Sequence, residues 1–344
     1  MKLEFFDKNT FWKKVTVVSL LSAIMILTMH TINNVADKYT HSPITVSILT
    51  YIHWVTHNAV KIFWMLSALL FYRNYSKVNM VAKYKSRAKS LIVPYLSWNA
   101  ISMCLLGIIG IVPLLANQLN TLEPFTFTLN NVVLGLFHHK YNMIFWFIFE
   151  LIILVGLSPV IYLCLKNKIV GLICIGLFYI FSPYIFVSDT IIRGGLSWIF
   201  YLIAAYFGIH WFKYSTLRTT SSISYLCILL VFVLNFLQIR FHDIRLLSDA
   251  LTLLSCIFIW IGSNAFLTIF RNWMIGISMF IFAIHFNIDM TVSKLVVKLI
   301  PDFAESLSIS FLLAWSLTLL LSIAIALLCK KYFGKLYVVL NGGR

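Results

Sequence analysis

The chain has 344 residues, 61% of them hydrophobic and only 11% charged, with a formal charge of +16 at pH 7 and a mean hydropathy of +0.92. A soluble domain carries about 25% charged residues, so this chain lacks the polar side chains that a water-facing surface needs. Lipid is the solvent that fits. The basic excess then reads as Lys and Arg beside anionic headgroups, and a nucleic-acid partner is excluded because the bases are not gathered on one soluble face.

The expected fold is an all-α, polytopic integral membrane protein, with one transmembrane domain over residues 1–344. Backbone groups in lipid must be paired internally, which favours helices, and about 20 apolar residues cross a bilayer. In chain order the apolar stretches fall at 15–33, 44–72, 91–115, 141–165 and 169–187, then at 196–212, 223–239, 246–270, 273–290 and 307–329. The first follows Lys13 and Lys14 and looks like a signal peptide. No small-x-small cleavage site follows it, so it reads as a retained helix. Residues 117–140 form a longer loop, within which 130–137 has the pattern of a short interfacial helix. There is no internal repeat and no soluble domain. The six cysteines all lie in or beside apolar stretches without a C-x-x-C pair, and read as small buried side chains.

Ten spans put both termini in the cytoplasm. On that topology 19 of the 27 Lys and Arg fall on cytoplasmic segments and 8 do not, the bias that orients membrane proteins. The densest basic stretch runs from Arg73 to Ser90 and includes Lys83, Lys85, Arg87 and Lys89. It serves either topology and headgroup binding or a phosphate clamp at the cytoplasmic face.

Ionisable groups within apolar spans are costly and ask for a reason. Three stand out: His30 near the outer end of the first span, Glu150 about 13 Å into the fourth, and His285 near the outer end of the ninth. All three fall in the outer half of the membrane, where one cavity can collect them. Imidazole takes a proton from an alcohol near neutral pH, and a carboxylate can orient it. The plainer alternative is that each only hydrogen-bonds a neighbouring helix. His53 and His57 share a helix face at a zinc-compatible spacing, but Trp54 stands where a metalloprotease needs Glu, so no metal is expected. His138 and His139 fall at the outer interface, and Arg193-Gly194-Gly195 is a polar turn too short for a phosphate loop.

Several segments together resemble the acyltransferase 3 family of membrane O-acyltransferases. They are LLSAIMILTMH ending at His30, AVKIFWMLSALLFYRNY followed by KYKSRAKSLIVPYLSWN, FWFIFELIILVGLSPVIY, GLSWIFYLIAAYFGIH and ISMFIFAIHFNID. They cover most of the chain in the family's order. The resemblance implies a bacterial inner-membrane enzyme that moves an acyl group, often acetyl, from acetyl-CoA or another acyl-CoA. The acceptor it implies is a hydroxyl of a surface polysaccharide or a lipid-linked glycan precursor. No tightly bound cofactor is implied. His30 matches the family's catalytic histidine, with Glu150 or His285 completing the pocket. Lys85, Arg87 and Lys89, with Arg73 beside them, match its basic loop by position and would hold the donor's phosphates. There are two departures. Ser19 stands where the family often has Arg, with Lys14 over one turn earlier, and Ser67-Ala68 replaces a Ser-Gly. The rival functions are a transporter or flippase for a polysaccharide or its acylated precursor, and a non-enzymatic partner in glycan assembly.

The charge bias predicts the outcome of a topology map. Reporters fused after Arg87 and after Arg344 should report the cytoplasm, and one fused near Gly194 the outside. A cytoplasmic signal at Gly194 would mean that a span has been miscounted.

Overall fold

A computed structural model describes residues 4–36, 43–76, 78–111, 125–186, 192–303 and 305–343. The bases Lys2, Lys38, Lys77 and Arg344, and the first part of the 117–140 loop, lie outside the described residues. Among the described residues the regular structure is helical, with turns between the helices and one isolated bridge between Phe5 and Leu217.

The helices are α1 (Lys8–Val35), α2 (Pro43–Thr56), α3 (Asn58–Tyr72), α4 (Met80–Arg87), α5 (Val93–Ile111), α6 (Leu129–Phe137), α7 (Trp146–Gly156) and α8 (Ser158–Leu165). There follow α9 (Lys168–Ile185), α10 (Trp198–His210), α11 (Ser221–Arg240), α12 (Arg245–Gly262), α13 (Ile277–Leu299), α14 (Ser306–Tyr332) and α15 (Gly334–Leu340). Polar side chains start several of them. Asp7 accepts from the Thr10 amide at the head of α1, Asn167 from Ile169 and Val170 at the head of α9, and Thr128 from Asn131 at the head of α6. That last cap begins the short helix expected at 130–137 one residue early.

Among the described residues seven helices are long and apolar enough to cross a membrane, or eight if the bent pair α7–α8 is one span. The protein is therefore a multi-pass membrane protein. Three of the ten expected segments do not form one long apolar helix. Residues 44–72 are divided at His57 into helices of 14 and 15 residues, each only about 21–23 Å long at 1.5 Å per residue. The His53 carbonyl there receives the Thr56 hydroxyl and faces the His57 ring. The apolar helix Gly195–His210 is the second short one. The α7–α8 pair bends by 62° at Leu157, where Pro159 in the first turn of α8 has no N–H to continue α7.

The ninth expected span needs a correction. A short 3-10 turn at Asn272–Met274 and a left-handed Gly276 precede α13, which then runs on to Leu299 rather than ending at 290. His285 is therefore well inside α13, not near its outer end. The polar Asn287, Asp289 and Ser293 hide this continuation in the hydropathy pattern.

Helix α1 is the axis of the bundle. It packs against α13, α14, α3 and α2, and α10 lies against α3. Gly208 of α10 sits so close to α3 that a Cβ there would be 3.1 Å from the Leu69 carbonyl oxygen. The core runs through these contacts and includes Leu27, Trp64, Phe145, Tyr201 and Ile281, all buried. At the end of the chain α15 folds back onto α5, where the Trp98 indole donates to the Leu340 carbonyl and Tyr337 stacks on Phe280 at 5.6 Å.

Candidate active site

The α1–α13 seam brings His30 and His285 together. Their ring centroids lie 5.4 Å apart, and His30 also meets the Phe286 ring at 5.2 Å. His285 is fully buried. Its Nδ1 lies 2.8 Å from the Phe282 carbonyl and 3.1 Å from that of Ile281. A carbonyl only accepts, so Nδ1 carries the proton. Nε2 is then left with its lone pair, buried, and with no hydrogen-bond partner among the described residues. A buried nitrogen of this kind is either a cost or a tool. At the α2–α3 break the rings of His53 and His57 meet edge to face at 4.4 Å, a second imidazole pair. Among the described residues no group of three or more His, Cys, Asp or Glu is arranged to hold a metal ion.

One turn beyond His285 on the same helix lies Asp289, fully buried. One carboxylate oxygen accepts from the Thr31 hydroxyl at 2.7 Å and from Ser293 and Thr318 at 3.3 Å, and the other accepts from the Asn34 amide at 2.6 Å. Thr31 and Asn34 follow His30 on α1, the first directly and the second about one turn on. This carboxylate therefore ties α1 to α13 and α14 beside the histidine pair. The i,i+4 spacing from His285 is the sequence signal that points to it.

Glu150 has a different place. One of its oxygens accepts the backbone amides of Arg193 and Gly194, each at 2.7 Å, and the other accepts the Trp198 indole at 2.6 Å. These three N–H donors account for its burial. The glycines are required here because a Cβ on Gly194 would be 2.5 Å from Trp146, and one on Gly195 2.3 Å from Phe186. The Arg193-Gly194-Gly195 turn is thus a cradle for a carboxylate on α7, and its partners belong to neither α1 nor α13. Nearby, the Arg193 guanidinium donates to the His138 carbonyl. His139 is buried against the Tyr95 and Phe149 rings, and burial pushes its pKa down to about 4, so it is neutral.

Towards the basic loop lies a cavity of about 880 Å³. Asn9, Trp12, Lys13, Thr16 and Ser19 supply one wall at the spacing of a single face of α1, and Phe63, Leu66, Ser67, Leu70 and Phe71 do the same on α3. Five cations line it: Lys13, Arg73, Lys83, Arg87 and Lys89. Arg73 lies over the Trp12 ring at 4.7 Å, and the Lys83 ammonium donates to the Phe71 and Arg73 carbonyls at the end of α3. Arg87 donates to the Ser67 carbonyl and sits 5.5 Å from the Phe71 ring. Of the four loop residues expected to act together, Arg73, Arg87 and Lys89 line the cavity, while Lys85 is exposed and does not. Lys13 joins them from α1. Lys14 points elsewhere, with its ammonium over the Trp260 ring at 4.3 Å. Ser19, a small side chain, lies on the α1 wall. Gly342 and Gly343 close the cavity from the far end of the chain, both at positive φ, and a Cβ on Gly342 would lie 2.6 Å from the Ser90 Cα.

Fold and site define a helical membrane protein with a histidine pair, His285 buried and His30 partly so, beyond a cation-lined cavity. The chain belongs to the acyltransferase 3 family, whose acyltransferase-domain model matches residues 16–331. No curated protein and no solved structure matches it. The protein is thus a membrane acyltransferase.

The geometry around Glu150 predicts a structural effect. Glu150→Ala would leave three buried N–H donors without an acceptor, at a cost of about 1–3 kcal/mol for each. The variant should show a large loss of melting temperature in detergent, while the fraction that remains folded keeps its turnover number. A normal melting temperature with turnover lost would return Glu150 to the chemistry.

Proposed function

We propose that this acyltransferase moves a short acyl group, in the first instance acetyl, from cytoplasmic acyl-CoA to a sugar hydroxyl. The acceptor is a cell-surface polysaccharide or a lipid-linked glycan precursor, and the enzyme sits in a bacterial inner membrane with the basic loop on the cytoplasmic side. The observation that carries this reading is the alignment of the cation-lined cavity with the histidine pair. The adenosine diphosphate part of CoA is anionic and suits the cluster of Lys13, Arg73, Lys83, Arg87 and Lys89. From Lys13 to His30 is roughly 25 Å along α1 at 1.5 Å per residue. A long flexible pantetheine arm is suited to such a span, and it removes the need to bring the nucleotide near the histidines.

The chemistry follows from the donor and acceptor classes. A sugar hydroxyl is a poor nucleophile at neutral pH and needs a base at the reaction centre. His30 takes the hydroxyl proton, the oxygen attacks the thioester carbonyl, and the carbon–sulfur bond breaks. The departing CoA thiolate recovers the proton. His285, whose Nδ1 is committed to backbone carbonyls, offers its Nε2 lone pair beside His30 and stabilises the charge that develops there. Thr31, Asn34 and Asp289 hold the two helices in the register that this pairing needs.

His30→Ala should lower acylation by roughly 100-fold or more with expression and insertion unchanged, and His285→Ala by less. The measurement is acylation of the surface glycan in cells at matched protein level. Near-normal acylation by His30→Ala would sink the mechanism.

The cation cluster makes a separate forecast. A charge-assisted contact to phosphate is worth on the order of 1.5–3 kcal/mol, so Arg87→Ala with Lys89→Ala should raise the KM for acyl-CoA by tenfold or more. Lys85→Ala, outside the cavity, should change it little. Equal effects at all three positions would reduce the loop to a general electrostatic or topological element.

A further inference from the structure

Phe63 of α3, Phe147 of α7 and Phe282 of α13 line the cavity at the end away from its cations. Their ring centroids form a nearly equilateral triangle: 6.0 Å from Phe63 to Phe147, 6.3 Å from Phe63 to Phe282 and 6.2 Å from Phe147 to Phe282. At such separations the rings are in packing contact, so no gap the width of an alkyl chain runs between them. The histidine pair stands just past this triangle. The Phe282 ring is 6.1 Å from that of His285, three residues further along the same helix, and His30 is 5.4 Å beyond. Phe147 and Phe282 are buried and held by further rings, Trp64 against Phe147 at 4.8 Å and Phe145 against Phe282 at 6.0 Å. Phe63 is only partly buried and is the member of the three with room to turn.

We propose that Phe63, Phe147 and Phe282 form an aromatic stop that determines which acyl groups the enzyme transfers, admitting acetyl and excluding chains of about four carbons or more. This rests on the donor reading given under the proposed function. A thioester whose acyl group is one methyl reaches the histidines when the Phe63 ring swings aside. A longer chain has to pass through the triangle, and there Phe147 and Phe282 cannot retreat because their own neighbours hold them. The same barrier keeps water and cytoplasmic nucleophiles in the basic cavity away from His30 and His285, so that acyl-CoA is not hydrolysed while the acceptor site is empty. The three phenylalanines are specificity-determining residues and take no proton.

The experiment uses the full-length protein in oriented vesicles supplied with acetyl-, butyryl- and octanoyl-CoA and a sugar acceptor. Wild type should prefer acetyl-CoA. Discrimination of on the order of tenfold or more is what a steric pocket achieves against added methylenes. Phe63→Ala should move the ratio of kcat/KM for butyryl over acetyl up by tenfold or more and raise acyl-CoA hydrolysis without acceptor, whereas Phe63→Leu should keep most of the wild-type ratio. An active Phe63→Ala whose chain-length profile matches wild type overturns the aromatic stop alone. A wild type that turns over none of the acyl-CoA donors overturns the donor reading and the specificity claim together. Thiol labelling covers the case in which Phe63→Ala is poorly active. A membrane-impermeant maleimide added from the basic-loop side should not modify His285→Cys but should modify His285→Cys combined with Phe63→Ala, with chains lacking the 285 substitution as background. Equal labelling of the two would show that the triangle is no barrier and overturn the proposal.

Discussion

A carboxylate buried among helices is stable only when its oxygens are fully hydrogen-bonded, and at Asp289 that condition organises the protein. Its donors come from three helices: Thr31 and Asn34 on α1, Ser293 on α13 itself and Thr318 on α14. Sliding α1 by one residue along α13 would strand the carboxylate and lose the hydroxyl and amide bonds together. Because Thr31 follows His30 and Asp289 is one turn after His285, this bond set also determines which face of α1 the imidazole presents. The Trp315 indole bonded to the Thr28 hydroxyl at 2.9 Å extends the same seam one turn back towards the cavity. Association of helices in lipid draws little from hydrophobic burial, so such polar ties and close packing carry more of the specificity than they would in water.

The sequence reveals the elements whose signal is local. An apolar helix with a histidine at its end, or a loop with four bases in seven residues, stands out against a background with 11% charge. His30 and the basic loop were legible for that reason, and the structure brings Arg73, Arg87 and Lys89 to one cavity. Depth was less legible. Asn287, Asp289 and Ser293 interrupt the apolar run, so His285 and Asp289 read as belonging to the end of a span when α13 in fact continues for two and a half more turns. Glu150 was conspicuous as an isolated acid, but its partners lie more than 40 residues downstream in a glycine turn that has no intrinsic affinity for a carboxylate. The phenylalanines of the constriction give no local signal among 29 of their kind. Only the crossing of α3, α7 and α13 distinguishes them.

The cation set is drawn from two elements. Ser19 stands on the α1 wall of the cavity and brings no charge to it. Positive charge comes instead from Lys13 nearer the start of α1 and from the loop after α3. Arg73 and Lys83 are partly committed within the protein, one against the Trp12 ring and the other to two carbonyls. These contacts hold side chains that would otherwise lose considerable rotamer freedom on meeting a ligand. Arg87 is held in the same way, by the Ser67 carbonyl and the Phe71 ring.

The two glycines that close the cavity carry a consequence for how the protein is made. Its wall joins Asn9 to Gly342 and Gly343, which leave the ribosome more than 330 residues later. Until α15 has folded back onto α5 and those glycines have settled against Ser90, the nascent bundle lacks that part of the wall around its cations. Insertion of the spans and completion of the cavity are therefore separate events in time. A chain still emerging into the membrane passes through biogenesis with that compartment incomplete.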